Sequence, residues 1–230
     1  MNDIYDPAVM RSDDALRPEV EALLENKPAK DTIIALVGPS GAGKSTVAKM
    51  LEEQGYNVIK SYTSRLPRGP DEWGHRFVMQ PWRKLEEGGV TWVNLWEGVA
   101  DWRQAIAYTV YNGAAYFALP EDYRGKGISI YIVDPSGVES LRREVRDAKV
   151  VAVYLQAGEM ERQRRLWTRR YRPRKGDFPA FCKFHDEAWE RVRLDRDIFR
   201  AVSCDYVVNA NGSPEDTLEL VKKVIEVVTA

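Results

Sequence analysis

The strongest constraint in this sequence is a glycine-rich segment that begins at residue 38. Residues 38–46 read GPSGAGKST and satisfy the pattern G-x-x-x-x-G-K-[ST]. The apolar segment DTIIALV directly precedes the loop, and residues 46–54 continue with apolar side chains at helical spacing. In this pattern the glycines let backbone N–H groups face phosphate oxygens, the lysine reaches the terminal phosphates, and the Ser hydroxyl binds Mg²⁺. A strand, this loop and a helix together predict a nucleoside triphosphate site.

Strand-like and helix-like segments alternate along the rest of the chain. Continuous apolar runs predict buried strands at 31–38, 128–134, 150–157 and 204–210, with a shorter strand at 56–63. Helices are predicted at 46–54, at 136–147, twice between 159 and 200, and after the N-cap residue Ser213. Between them we expect a helix at 81–88 and strands near 90–95 and 105–111. This alternation predicts an α/β fold with a mostly parallel core sheet flanked by helices.

Composition narrows the class of protein. The chain has 230 residues, with 34 Lys and Arg against 35 Asp and Glu, which disfavours a surface devoted to nucleic acid. No apolar run approaches the ~18 residues of a membrane span, and the acidic N-terminus does not resemble a signal peptide. Two cysteines and two histidines disfavour a disulfide framework or a Cys/His metal site. We expect a cytoplasmic protein without a membrane partner, with a helical arm at 1–30 and one domain at 31–230.

A second group of arginines points to the class of reaction. We find no N-K-x-D, the segment with which GTPases read guanine. A small-molecule kinase binds a second substrate that often carries a phosphate itself, and residues 61–68 (SYTSRLPR) supply Arg65 and Arg68 three positions apart. Two guanidinium groups at this spacing can bind one phosphate together.

The order of these motifs resembles the guanylate kinase family. GPSGAGKST is followed after about 20 residues by SYTSRLPR and Gly74, and then by IVDPSG at 132–137. RLWTR at 165–169 resembles the family's lid, and CDYVVNANGSPEDTLELV at 204–221 resembles its closing strand and helix. The resemblance covers about residues 31–228. It implies a P-loop kinase fold with an acceptor-binding region at about 60–127 and an Arg-rich lid at about 158–190.

The resemblance also implies an activity and a set of site residues. The activity is ATP-dependent phosphorylation of a nucleoside or deoxynucleoside 5′-monophosphate, with Mg²⁺. The residues implied for ATP are Gly38, Ser40, Gly41, Ala42, Gly43, Lys44, Ser45, Thr46 and Asn209. Those implied for the acceptor phosphate are Ser61, Arg65 and Arg68. Arg165, Arg169 and Arg191 are expected to close over the transferred group. Asp134 is expected near the metal or the acceptor, and the alternative for it is a simple helix cap.

Two departures from the family leave the base undecided. Phe77 stands where the family has a tyrosine that binds the acceptor phosphate, and no carboxylate lies between Asp101 and Glu121 to read guanine. The groups left to contact a base are Tyr108, Thr109, Asn112 and Tyr116. A site without the guanine-binding carboxylate should have a relaxed or altered base choice.

Other functions stay open on these residues. One is a kinase for a modified nucleotide or a sugar phosphate, and another is a non-catalytic binding module. A third is a nucleic-acid-dependent ATPase that uses the basic run from Arg162 to Lys175. The sequence does not indicate the oligomeric state.

Overall fold

The computed structural model describes residues 31–67, 72–84, 90–94, 104–111, 113–170 and 178–230. The predicted arm at 1–30, together with Arg68 and Asn112, lies outside these ranges.

The core of the fold is a five-stranded parallel sheet. Its strand order is β11-β10-β1-β9-β2, and all four neighbouring pairs are parallel. The strands are β1 (Asp31–Val37), β2 (Asn57–Ile59), β9 (Ile128–Ile132), β10 (Ala148–Gln156) and β11 (Tyr206–Asn209). Every residue of β1 is buried, as the continuous apolar run predicts for a central strand. The predicted α/β class with a mostly parallel sheet is confirmed.

Helices cover both faces of the core sheet. Helix α1 (Lys44–Glu53) and helix α5 (Pro214–Thr229) pack on the face that includes Ile34 and Leu36 of β1. Helix α2 (Pro135–Glu144) packs on the opposite face, against the alternate residues of β1. The two-residue period of the strand therefore divides one apolar run between two cores.

A second sheet lies beside the core. Its order is β4-β3-β8-β7, and its strands are β3 (Ser61–Thr63), β4 (His75–Phe77), β7 (Ile106–Tyr111) and β8 (Ala114–Ala118). The single strand predicted at 56–63 is therefore wrong: residues 57–59 pair with β9 in the core sheet, and residues 61–63 pair with β4 and β8. Lys60 lies at the break, where the chain passes from one sheet to the other.

The helix predicted at 81–88 is also wrong. Residues Met79–Lys84 form strand β5, which pairs antiparallel with β6 (Val90–Asn94). The strands expected near 90–95 and 105–111 are confirmed. Helical spacing over so short a segment is ambiguous, and pairing with β6 decides the conformation.

Two long helices form the region predicted as a lid. They are α3 (Glu159–Arg170) and α4 (Phe178–Ile198), and they pack against each other. Within the described ranges, no helix is both long enough and apolar enough to cross a bilayer. The carboxyl ends of β1 and β9, the second sheet, α3 and α4 converge on one side of the core sheet, which is where α/β folds place ligand sites.

Candidate functional site

The loop after β1 has the backbone geometry of a phosphate cradle. Gly41 and Gly43 adopt left-handed φ values of 83° and 99°, and Gly43 is the N-cap of α1. A Cβ on Gly41 would lie 2.8 Å from the carbonyl oxygen of Arg162 in α3. Glycine is required there for both its conformation and the close approach of α3. The N-terminus of α1 then points its positive dipole end into the loop.

Lys44 lies at the base of this loop. Its Nζ donates to the carbonyl oxygens of Gly38 and Pro39, the latter at 3.1 Å. Burial lowers the pKa of Lys44 to about 8, the Asp195 carboxylate opposes that shift, and nearby arginines, with Arg191 foremost, add to it. An anion bound in the loop would favour the charged form of this lysine.

Helix α4 holds the third residue of the loop. Arg191 Nε donates to Ser40 Oγ at 2.9 Å, and the backbone N–H of Ser40 donates to Asp195 Oδ2 at 2.6 Å. Asp195 is 1% exposed, and Arg162, which is 4% exposed, has its Nη1 at 3.7 Å from the same carboxylate oxygen. The loop is therefore packed between α3 and α4 through charged side chains.

A cavity of about 390 Å³ joins the phosphate loop to the second sheet. The loop contributes Gly38, Ser40, Gly41, Gly43, Lys44 and Ser45. The two lid helices contribute Leu166, Arg169, Phe184, Glu187 and Arg191. The second sheet contributes Ser61, His75, Thr109 and Tyr116, Arg65 comes from the bend after β3, and Asp134 lies on the wall after β9. One cavity thus contains three of the predicted groups: loop, lid cations and acceptor-side arginine.

Arg65 is held rigidly at the acceptor end of the cavity. Its Nη1 and Nη2 donate to the two carboxylate oxygens of Glu72, at 3.0 and 2.7 Å, and its Nε donates to the Tyr116 hydroxyl at 3.1 Å. The guanidinium carbon lies 5.2 Å from the centre of the Phe77 ring. Phe77 therefore acts beneath Arg65, as a support for the guanidinium group, and does not line the cavity.

Asp134 combines two structural tasks at the cavity wall. It is the N-cap of α2, where its Oδ1 accepts from the backbone N–H of Gly137 at 2.7 Å. Its Oδ2 accepts from the Thr109 hydroxyl at 2.9 Å, which links the core sheet to the second sheet. The predicted helix cap is confirmed, and the role near a metal or acceptor stays a prediction.

A bulge in β7 aims Thr109 at Asp134. The pairing of β7 with β8 shifts between Ile106 and Thr109, and Ala107 adopts a left-handed φ of 53°. The backbone N–H of Ala107 is held by Glu144 Oε2 at 3.0 Å. Bulges commonly redirect a side chain near a functional site, and this one turns Thr109 into the cavity while its neighbour Tyr108 packs on the apolar cluster of Phe117 and Leu119.

Some predicted residues lie elsewhere. Arg165 bonds to Glu161, to the Gly41 carbonyl and to the Gly212 carbonyl, so it fastens α3 to the loop and does not line the cavity. The Asn209 side-chain oxygen accepts from Asn211, in the turn after β11. Ala42 is buried beneath the loop, and Thr46 is exposed on α1. Binding roles for these residues stay predictions.

Sequence reasoning missed several side chains of the cavity. His75, Phe184 and Glu187 line it, and Asp195 holds the loop from behind. One signal was available for two of them: Glu187 and Asp195 lie four residues before and after Arg191, on the same face of a helix.

Part of the basic run is paired with acidic side chains among the described residues. Arg164 and Arg165 donate to Glu161, and Arg162 Nη1 lies 3.7 Å from Asp195 Oδ2. These pairs leave less positive charge for a polyanion than the sequence alone indicates. A nucleic-acid contact stays untested.

Two solved structures are similar to this chain over most of its length. The crystal structure of APE1195 is similar at 16% identity and a TM-score of 0.42, covering 88% of this chain and 99% of that one. A shikimate kinase from Acinetobacter baumannii in complex with shikimate is similar at 16% identity and a TM-score of 0.38, covering 91% and 97%. Comparison with curated proteins returned no significant match. The guanylate kinase resemblance is not confirmed by these findings.

A family model gives the more direct assignment. The model described as an AAA domain matches residues 34–190, which include the second half of β1, the phosphate loop, the second sheet, α3 and most of α4. With its parallel sheet, its glycine-rich phosphate loop and this match over more than half of its length, the chain belongs to the AAA domain family.

Proposed function

We propose that this chain is a phosphotransferase that moves the terminal phosphoryl group of ATP to the phosphate of a nucleoside 5′-monophosphate. The observation that carries the proposal is the cavity itself. Lys44 and Ser45 lie at one end, Arg65 at the other, and Arg169 and Arg191 lie along it. Arg169 and Arg191 come from the lid, whereas Arg65 follows β3, and a guanidinium held outside the lid is suited to binding the phosphate of an acceptor.

The nucleotide end fits ATP and Mg²⁺ chemically. The left-handed glycines leave no side chain over the loop, Lys44 supplies a half-buried cation, and the Ser45 hydroxyl lines the same cavity as the Asp134 carboxylate. Ser45 and Asp134 are oxygen donors of the kind that Mg²⁺ prefers, directly or through water. ATP supplies the phosphoryl group, and Lys44 with the loop amides would hold its phosphates.

The lid and the acceptor end would position and stabilise the transfer. Phosphoryl transfer needs in-line alignment and cations around the moving charge more than it needs a nucleophile. Arg169 and Arg191 on α3 and α4 face the cavity and would carry that charge. Arg65 already donates to Glu72, Tyr116 and the Leu66 carbonyl, so it would bind the acceptor phosphate through its remaining Nη2 N–H, together with the Ser61 hydroxyl. Packing of the two lid helices over the loop would limit loss of the phosphoryl group to water.

The acceptor end favours a flat ring without the usual guanine contacts. His75 and Tyr116 line it with their ring centroids 5.6 Å apart, which gives a base a surface to stack on. The residues of β7 and β8 that line the cavity include Thr109 and Tyr116 and no carboxylate. This absence favours a base other than guanine, and it is also the observation that supports a second candidate, a modified nucleotide or sugar phosphate as acceptor.

The test is ADP formation from MgATP with a panel of acceptors. The panel holds the ribo- and deoxyribonucleoside monophosphates of each base, and several sugar phosphates. We expect one class of acceptor to be phosphorylated, and Lys44→Met to abolish that transfer. Lys49→Met is the matched control, because Lys49 is exposed on the same helix and lies over the Trp73 ring, so its variant should keep full activity.

Other outcomes would contradict the proposal. If ATP is hydrolysed at the same rate with every acceptor and no acceptor is phosphorylated, the chain is an ATPase. Binding of nucleotide with neither hydrolysis nor transfer would make it a binding module. Transfer to sugar phosphates alone would support the second candidate instead.

A further inference from the structure

One residue of the phosphate loop is held from two positions a turn apart on helix α4. Arg191 donates to the side-chain oxygen of Ser40, and Asp195 accepts from its backbone N–H at 2.6 Å. Arg191 and Asp195 are four residues apart, so both project from the same face of α4. The position of α4 is therefore fixed to the conformation of the loop at Ser40.

Asp195 also brings a buried negative charge to a cluster of cations. It is 1% exposed, and its Oδ2 lies 3.7 Å from Arg162 Nη1. The same Arg162 nitrogen lies 3.5 Å from the Ser40 carbonyl oxygen, and Arg162 Nε has no hydrogen-bond partner within the described residues. A carboxylate in this position accepts from a loop amide in the way that a phosphate oxygen would, since both are anionic oxygens.

We propose that Asp195 is a positioning residue that acts as an internal anion of the phosphate loop, restraining Ser40 and Arg191 and weakening the loop's hold on a triphosphate. The inference rests on the proposed function for the identity of the ligand. Its physical basis is that a buried negative charge beside the loop repels a polyanion, while the hydrogen bond to Ser40 keeps the loop and Arg191 aligned. The Asp195 carboxylate would therefore lower the affinity for the triphosphate while it improves the alignment of the loop for transfer.

Asp195→Asn separates these two effects. Asparagine has nearly the same shape and keeps a carbonyl oxygen for the Ser40 N–H, but it carries no charge. We expect the dissociation constant of MgATP to fall about tenfold, from the lost repulsion of a unit charge near the phosphates. We expect kcat to fall as well, because the Ser40–Asp195 bond becomes weaker and Arg191 less well held. A merely structural role would weaken binding and lower the melting temperature together.

The experiment is isothermal titration calorimetry of the full chain with MgATP and, separately, with inorganic tripolyphosphate. Asp197→Asn is the matched control, because it removes the same charge from an exposed position on the same helix. Tighter binding of both ligands by Asp195→Asn but not by Asp197→Asn supports the inference. Unchanged or weaker binding by Asp195→Asn overturns it.

A measurement on the unmodified protein guards against a variant that fails to fold. The amide resonance of Ser40 in ¹H–¹⁵N spectra should move when tripolyphosphate saturates the loop, since the ligand and Asp195 act on the same donor. An unmoved Ser40 resonance under saturation overturns the inference.

The two proposals fail in different ways. If the unmodified chain binds MgATP but phosphorylates no acceptor, the proposed function fails while the Asp195 test still runs. If it binds neither ligand and Asp195→Asn gains binding, the inference stands without the proposed function. If neither protein binds either ligand, both fail.

Discussion

At the scale of single residues, the site concentrates positive charge in a partly enclosed space. Lys44, Arg169 and Arg191 line the cavity, with Arg162 buried behind it and Asp195 as the buried carboxylate. The lowered pKa of Lys44 is the consequence, because both burial and neighbouring arginines disfavour its charged form. With so many cations close together, the protein should be less stable without a bound anion than with one.

Removing the Lys44 charge should therefore stabilise the unliganded protein. The pKa of Lys44 is about 8 in the folded protein and 10.5 ordinarily. Charged Lys44 therefore lowers the free energy of unfolding by its full amount below pH 8, and this destabilisation fades as pH rises toward 10.5. We expect Lys44→Met to raise the free energy of unfolding at neutral pH by about 2 kcal/mol. The gain should shrink in alkaline solution, as measured by urea unfolding across pH, with Lys49→Met as the control. A less stable Lys44→Met at neutral pH would contradict this.

Site residues whose positions depend on neighbouring residues in the sequence could be predicted. Site residues whose positions depend on the packing of distant elements could not. Lys44 and Ser45 follow from the loop motif, because their positions depend on a few neighbouring residues. Asp195 sits among Arg193, Arg196 and Asp197, and such a run reads as a solvated helix face. Its burial depends on how α4 meets Ser40, about 155 residues away in the chain. The spacing from Arg191 indicates which helix face Asp195 lies on, but it does not indicate the contact with Ser40.

At the scale of elements, the start of the last helix is a feature that the local sequence predicts correctly. Ser213 caps α5, accepting from the Asp216 N–H at 3.1 Å, and the Asp216 carboxylate accepts from the Ser213 N–H at 3.0 Å. The sequence predicts this start, with Pro at the first position and acids in the first turn, and the structure confirms it. By contrast, the helix predicted at 81–88 failed because pairing between β5 and β6 outweighs the spacing of a few residues.

Loss of this cap should cost stability without loss of function. We expect Ser213→Ala to lower the free energy of unfolding by about 1 kcal/mol, because the Asp216 N–H loses its acceptor and the Asp216 carboxylate loses the Ser213 hydroxyl. Phosphoryl transfer at ambient temperature should be unchanged, since α5 packs on the core away from the cavity. Thermal melting and the acceptor assay test this together. A large loss of activity in a folded variant would place α5 in the site.

The two faces of helix α3 should behave differently under substitution. Arg169 lines the cavity, whereas Arg164 is exposed and donates to Glu161 one turn earlier. We expect Arg169→Ala to lower kcat by about tenfold or more, because a cation near the transferred charge is lost. Arg164→Ala is the matched control on the same helix and should keep kcat, since an exposed pair contributes little. If Arg169→Ala and Arg164→Ala lowered kcat equally, the net charge of α3, and not the position of Arg169 in the cavity, would determine its effect on the reaction.

At the scale of the whole molecule, the site exists only because two sheets and a helical lid meet. The core sheet brings the phosphate loop and Asp134, the second sheet and the bend after β3 bring Thr109 and Arg65, and α3 and α4 bring the remaining cations. The sequence predicts each group separately, and the guanylate kinase resemblance places them in order along the chain. The Thr109–Asp134 bond and the bulge at Ala107 depend on how the sheets pack, so no segment predicts them alone.

Arg65 and Lys44 come from different parts of the fold, and this leads to a kinetic prediction for Arg65. Because Arg65 lies just after β3 of the second sheet and Lys44 in the phosphate loop, Arg65→Ala should act on the acceptor and leave nucleotide binding intact. A charge-assisted hydrogen bond contributes about 1.5–3 kcal/mol, so the KM for the acceptor should rise by about 10- to 100-fold. The dissociation constant of MgATP should stay at its original value.

Two further variants give the Arg65 experiment its controls. Arg65→Lys keeps the charge but loses the two-pronged contact with Glu72, so it should restore acceptor binding only in part. Arg146→Ala removes a guanidinium from an exposed position outside the cavity and should change neither constant. An acceptor KM that Arg65→Ala leaves unchanged would mean that the second sheet does not bind the acceptor phosphate. Weaker MgATP binding by Arg65→Ala would instead make the cavity a single nucleotide site, with Arg65 reaching the triphosphate itself.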